Sequence, residues 1–313
     1  MLNLFIILSI TFLTSFSSFA KKNDYVLLDQ KYGPHERQAF DLWLPKTKKK
    51  SPLVIYIHGG GWAVGSKDEF RKKSIIKKYL QSGIAVAAIN YRFLKHAPLQ
   101  KILREDIAGF VQFMRYHSKK YRIKKEYIMS HGFSAGGSGS LWLATHDDIA
   151  DSNAKDPKKR ESSRILAAGH LSAQVSYDFV DWYEYFTQEE VDKYVGEEMW
   201  SRYHLKSKDD LFTDKGEKIR RDVDMYENIS SDDAPIIFWN GLKDMKSPDR
   251  NHFMHSPRHA KLLYERTQEV GLKAKIILDG DKTQKSDVFE EVFKFFTQRI
   301  KKKSKITSII GID

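Results

Sequence analysis

The sequence predicts an α/β fold, a mainly parallel sheet with helices on both faces. Three observations carry this. Leu53–Ile57, Ile84–Ile89 and Pro235–Trp239 are short, continuous apolar runs, the pattern of strands buried on both faces. Amphipathic stretches of helical length separate them, and alternating β and α units give a parallel sheet. The rhythm breaks only once, at 177–232. A chain of 313 residues fits one undivided domain of this class.

The elements follow in order. Tyr25–Leu28 and Gln38–Leu44 read as strands around a Gly33-Pro34 turn. After strand Leu53–Ile57, the spacing predicts a helix over Lys67–Gln81, ended by Gly83. Strand Ile84–Ile89 leads to a helix over Leu99–His117, with Ile102, Leu103, Ile107, Phe110, Val111 and Met114 near helical spacing. Tyr127–Met129 is the next strand, then helix Ala135–Ala144 and strand Ile165–Ala168. The segment 177–232, rich in aromatic and charged residues, contains no buried-strand run and reads as a helical insertion over the carboxyl edge of the sheet. Strand Pro235–Trp239, helix His259–Val270, strand Lys273–Leu278 and helix Asp287–Lys302 complete the alternation, and the tail from Lys303 is expected to fray.

Residues 1–20 carry no charged side chain, and Ser18-Phe19-Ala20 offers small residues where a signal peptidase cuts. The expectation is a cleaved signal peptide at 1–20, a mature domain at 21–313, and a secreted or periplasmic protein. The apolar run is too short for a stable membrane span. There is no cysteine, which excludes disulfides, a lipoprotein anchor and a thiol nucleophile. The net charge of +12 is dispersed in short basic groups. A specific nucleic-acid binder would concentrate them; a dispersed field would still draw the chain towards anionic surfaces.

Two motifs carry chemistry. Gly132-Phe133-Ser134-Ala135-Gly136 is a G-x-S-x-G turn between a strand and a helix. That turn lifts the serine above the sheet and aims the next amide at a developing oxyanion. Ser134 is the expected nucleophile and Ala135 an oxyanion donor. His58-Gly59-Gly60-Gly61-Trp62 follows a strand, and consecutive glycines let backbone amides approach a ligand. Gly60 and Gly61 are the further donors. His58 reads as a brace for this loop. No metal or cofactor is called for; an exposed helix end explains His146-Asp147-Asp148.

These motifs resemble the esterase/lipase branch of the α/β-hydrolases that is similar to hormone-sensitive lipase, with bacterial feruloyl- and acetyl-esterase-like relatives. Gly65-Ser66-Lys67-Asp68, Asn90-Tyr91-Arg92-Phe93 and Asp106 extend the resemblance over most of the mature chain. It implies an α/β-hydrolase fold and a serine carboxylic-ester hydrolase acting through an acyl-enzyme on a small acyl or glycan-linked ester; the aromatic insertion is read as a lid over the pocket, with a small helical core as the alternative. It also implies an orienting acid after Pro235–Trp239, which is Asp244, with Asp249 as fallback.

The resemblance also demands a histidine after Lys273–Leu278. The chain there reads Asp279-Gly280-Asp281-Lys282-Thr283-Gln284. A serine without an imidazole is a weak nucleophile. Three alternatives stay open: a histidine among His252, His255 and His259, Lys282 as base, or a non-catalytic or slowed homologue that keeps the pocket for binding. His255 is singled out because Ser256-Pro257 starts a helix and fixes it at the entrance.

Overall fold

The computed structural model describes residues 25–309 apart from 281 and 285. The signal expected at 1–20 lies outside the described residues. Eight strands form one sheet, β1 Val26–Lys31, β2 Ala39–Trp43, β3 Ser51–Ile57, β4 Ala85–Ile89, β5 Ile123–Phe133, β6 Ala168–Leu171, β7 Ile236–Asn240 and β8 Ala274–Leu278. Their order is β1-β2-β4-β3-β5-β6-β7-β8. β1 and β2 pair antiparallel, as do β2 and β4, and every pairing from β4 to β8 is parallel. The expected fold class is therefore the one found.

The helices are α1 Ile75–Gln81, α2 Leu99–Lys101, α3 Gly109–Tyr116, α4 Ser118–Tyr121, α5 Ala135–Thr145, α6 Trp182–Tyr185, α7 Gln188–Tyr194, α8 Glu198–Ser201, α9 Asp214–Val223, α10 Arg250–Met254, α11 Pro257–Glu269 and α12 Val288–Ile309. One apolar cluster, including Phe40, Leu103, Phe110, Trp142 and Phe253, fills one side of the sheet and the space beneath the insertion. A second, with Phe70, Tyr79, Val292 and Phe296, covers the opposite face under α1 and α12. Burying such a side chain stabilises by about 2–3 kcal/mol.

Four local expectations are corrected. The helix expected over Lys67–Gln81 is broken. A 3₁₀ turn, Lys67–Phe70, is closed by a Ser66/Glu69 capping box, and α1 starts only at Ile75. The cause is polar. Lys67 is 2% exposed, and its Nζ donates to Asp29 at 2.6 Å and Asp41 at 2.8 Å. The helix before β5 is not uniform, because Ile102–Ala108 is a π turn between α2 and α3. It contains buried Asp106, which accepts from the Arg92 amide at 2.7 Å and from its guanidinium. β6 begins at Ala168 instead of Ile165, since polar His170 disguises its buried half. The tail does not fray at Lys303: α12 runs to Ile309, and Lys303 Nζ donates to the Glu126 carbonyl at 2.9 Å.

Candidate active site

β5 ends at Phe133 and α5 starts at Ala135, leaving Ser134 alone at the corner. Its φ of 52° and ψ of −125° lie in a region an L-residue seldom enters. The Ser134 amide donates to the Leu171 carbonyl at 3.0 Å, which ties the corner to β6. Close packing explains the flanking glycines. A Cβ at Gly132 or Gly136 would overlap the Ile57 carbonyl oxygen at the end of β3.

The glycine loop follows β3 directly. Gly60 and Gly61 have φ of 103° and 60°. Among the described residues their amides donate to no acceptor, and Ala135, first in α5, has no intrahelical acceptor for its own. His58 holds the loop. Its Nδ1 donates to the Gly59 carbonyl at 2.7 Å, its Nε2 accepts from Arg37 at 3.3 Å, and its ring stacks on Tyr91. Burial pushes its pKa down to about 4, so it stays neutral and structural.

Gly60, Gly61, Ser134, Gln174, Tyr177, Arg202, Arg250, Met254 and His255 line one cleft of about 420 Å³. Two larger clefts, of about 760 and 910 Å³, contain neither the serine nor the glycine loop. A polar chain stiffens the cleft wall. Trp62 Nε1 donates to Tyr177 Oη at 2.7 Å, Tyr177 Oη donates to Gln174 Oε1 at 3.1 Å, and Gln174 Nε2 donates to the Met254 carbonyl at 2.7 Å.

The imidazole facing the serine comes from the loop after β7. His255 Nε2 lies 2.7 Å from Ser134 Oγ, and His255 Nδ1 lies 2.7 Å from the Asn251 carbonyl oxygen. That carbonyl can only accept, so Nδ1 carries the proton and Nε2 accepts from the serine. Burial lowers the His255 pKa, with the nearby Arg250 charge adding to it and the Asn251 hydrogen bond opposing.

The sequence places three histidines here, and their tasks differ. His252 Nε2 donates to the Lys243 carbonyl at 2.9 Å, and Ser247 Oγ lies 3.2 Å from its Nδ1. His259 Nε2 donates to the Phe253 carbonyl at 2.9 Å while its Nδ1 accepts from the Val175 amide at 3.2 Å. Both brace α10, at whose end His255 sits. Asn240 Nδ2 donates to the His255 carbonyl at 2.8 Å and joins that end to β7.

The acid is corrected. Asp244 forms an ion pair with Lys261 on the surface and does not touch His255. Asp249, the fallback, caps α10 by accepting from the His252 amide at 2.8 Å. In this structure a main-chain carbonyl, that of Asn251, takes the place next to the imidazole. No residue type announces a main-chain acceptor, so sequence reasoning had no signal for it. Lys282 is equally unsuited as a base: it is exposed and paired with Asp279 at 3.0 Å. Arg202, Arg250, Tyr177 and Gln174 were also missed, because each reaches the cleft only through tertiary packing: Tyr177 and Arg202 from the insertion, Gln174 from the loop after β6 and Arg250 from the start of α10.

The BD-FAE family model matches residues 40–251. Kynurenine formamidase of Danio rerio is 28% identical over 117 residues, 37% of this chain and 38% of that protein. Tuliposide A-converting enzyme b1 of Tulipa gesneriana is 28% identical over 115 residues, 34% of this chain and 26% of that protein. The chain thus spans well under half the length of these curated relatives. Among solved structures, a truncated carbohydrate esterase from gut microbiota superposes with a TM-score of 0.65 at 18% identity, over 88% of this chain and 95% of that one. Esterase B from Lactobacillus rhamnosis gives 0.64 at 15% identity, over 91% of each. At these identities the likeness is one of fold.

Proposed function

The chain belongs to the BD-FAE family of α/β-hydrolase esterases, and from that premise we propose that it is a serine carboxylic-ester hydrolase whose base is His255. The observation that carries the reading is the 2.7 Å contact between Ser134 Oγ and His255 Nε2. In this mechanism Ser134 Oγ attacks the ester carbonyl and His255 takes its proton. The Gly60, Gly61 and Ala135 amides hold the oxyanion, where such donors contribute most. The intermediate collapses, the alcohol leaves with the proton from His255, and water then releases the acyl group by the same steps. A carboxylate in a triad holds the imidazole tautomer and stabilises the imidazolium. The Asn251 carbonyl supplies the first task in full and the second only through its dipole, so turnover is slower than with a complete triad. A formed serine–imidazole pair beside free amides tells against a cleft kept only for binding.

Small acyl or glycan-linked esters are the proposed substrates, supported by the modest cleft and the carbohydrate esterase among the structural neighbours. The insertion serves as the cleft's outer wall, since Tyr177 and Arg202 reach in from it. Export rests on residues 1–20 alone. The test is turnover of p-nitrophenyl acetate together with stoichiometric labelling by a fluorophosphonate. Wild type should show both. Ser134→Ala, folded as wild type by circular dichroism, should show neither; labelling that persists in it would refute the nucleophile.

A further inference from the structure

The cleft beside Ser134 carries more positive charge than ester hydrolysis requires. Among its lining residues are two arginines and no carboxylate side chain. Arg202 comes from the insertion, its side chain only 7% exposed, and Arg250 opens α10. Among the described residues they share a single counter-ion. Glu198 accepts from Arg202 Nε at 3.1 Å through one oxygen and from Arg250 Nη2 at 2.6 Å through the other. Two cations on one carboxylate leave one positive charge uncompensated. Asp249, next to Arg250 in the chain, holds the His252 amide at the start of α10 and is not among the lining residues. Donors also remain. Arg202 Nη1 has only a 3.3 Å contact to the Gly61 carbonyl, and Arg250 Nη1 has no acceptor among the described residues.

We propose that the ester this site takes carries a carboxylate, bound by Arg202 and Arg250; the inference rests on the esterase reading above. The Nε edge of each guanidinium is taken, in Arg202 by Glu198 together with Nη2 and in Arg250 by the Tyr194 carbonyl at 3.1 Å, so the Nη1 groups are the donors left for a carboxylate, and such charge-assisted hydrogen bonds are the strong ones. The contact between Arg202 and Gly61 sets the charge beside the oxyanion loop. The carboxylate therefore lies a short chain away from the reacting carbonyl. A neutral ester would leave the surplus charge without a partner in a half-closed cleft, and a cationic one would meet repulsion.

The experiment compares matched probes. Mono-p-nitrophenyl glutarate against p-nitrophenyl butyrate tests a carboxylate on the acyl side. O-acetylated glucuronic acid against O-acetylated glucose tests the alcohol side. In at least one pair, kcat/KM should favour the anionic member by about tenfold, and Arg250→Gln or Arg202→Met should reduce that ratio severalfold. The same pairs are titrated into Ser134→Ala protein, where nothing turns over. There the anionic member should bind more tightly, and adding Arg250→Gln should erase the difference. Equal binding of both members in both pairs would overturn the proposal. If neither member is hydrolysed by wild type while the binding preference holds, it is the esterase reading that fails.

Discussion

At the residue scale the chemistry turns on His255. It lies on no extension of β8, where the family resemblance seeks a base, but at the junction of α10 and α11. Its nearest neighbours explain how a side chain there can be held still: one nitrogen on a main-chain carbonyl, its own carbonyl on Asn240, and His252 and His259 bracing the turn. Part of this was legible. Ser256-Pro257 announced a helix start and fixed the place of His255 in the chain. The orienting group was not legible, because a carbonyl belongs to every residue. Two predictions belong here. A base works when neutral, and a lowered pKa keeps His255 neutral further into acid. The acid limb of kcat/KM should therefore fall below the 6.5 of an ordinary imidazole. A limb centred at 7 or above would contradict the lowered pKa. Asp244→Ala should change kcat/KM by less than about threefold, since an exposed ion pair contributes little; a loss of two orders of magnitude would restore it as the acid.

At the element scale, the site depends on how closely β3, β5 and α5 approach. The Ile57 carbonyl sits where a Cβ of Gly132 or Gly136 would be, and no side-chain rotation can move a central strand. Gly136→Ala should cost at least about 3 kcal/mol in urea unfolding, at the upper end of overpacking; a change under 1 kcal/mol would mean that the corner is looser than the structure shows. The long β and α elements were readable from periodicity. The short ones were not. The segment Arg250–Met254 mixes charge, amide and aromatic side chains with no period. The break before α1 was equally hidden, since it depends on Asp29 and Asp41, distant in sequence, drawing Lys67 inwards.

Across the whole molecule, the fold class was legible because each parallel strand must be apolar on both faces. That rule also conceals the exceptions. His131 and His170 lie within β5 and β6, fully buried, and their polarity argued against core positions that they do occupy. Their burial has a cost in acid. Desolvation holds the pKa values of His58 and His170 down to about 4 and those of His131 and His259 to about 3. Folded-state values below the unfolded 6.5 mean that the unfolded chain binds more protons between these limits. The stability is complete above about pH 6.5 and is lost as pH falls towards 4, by roughly 5 kcal/mol per pH unit at most. That rivals the whole stability of a domain. Thermal unfolding followed by circular dichroism should show Tm dropping steeply from pH 6.5 to 5. A Tm that stays level to pH 4.5 would show that these imidazoles are hydrated or partnered in solution.

The central claim is that the proton leaves Ser134 for His255. The most direct measurement is kcat/KM for p-nitrophenyl acetate in His255→Ala, with folding verified and Asp244→Ala alongside. The account predicts a fall on the order of a thousandfold or more for His255→Ala, with Asp244→Ala close to wild type. Turnover by His255→Ala within tenfold of wild type would contradict it, because some other group would then be taking the proton.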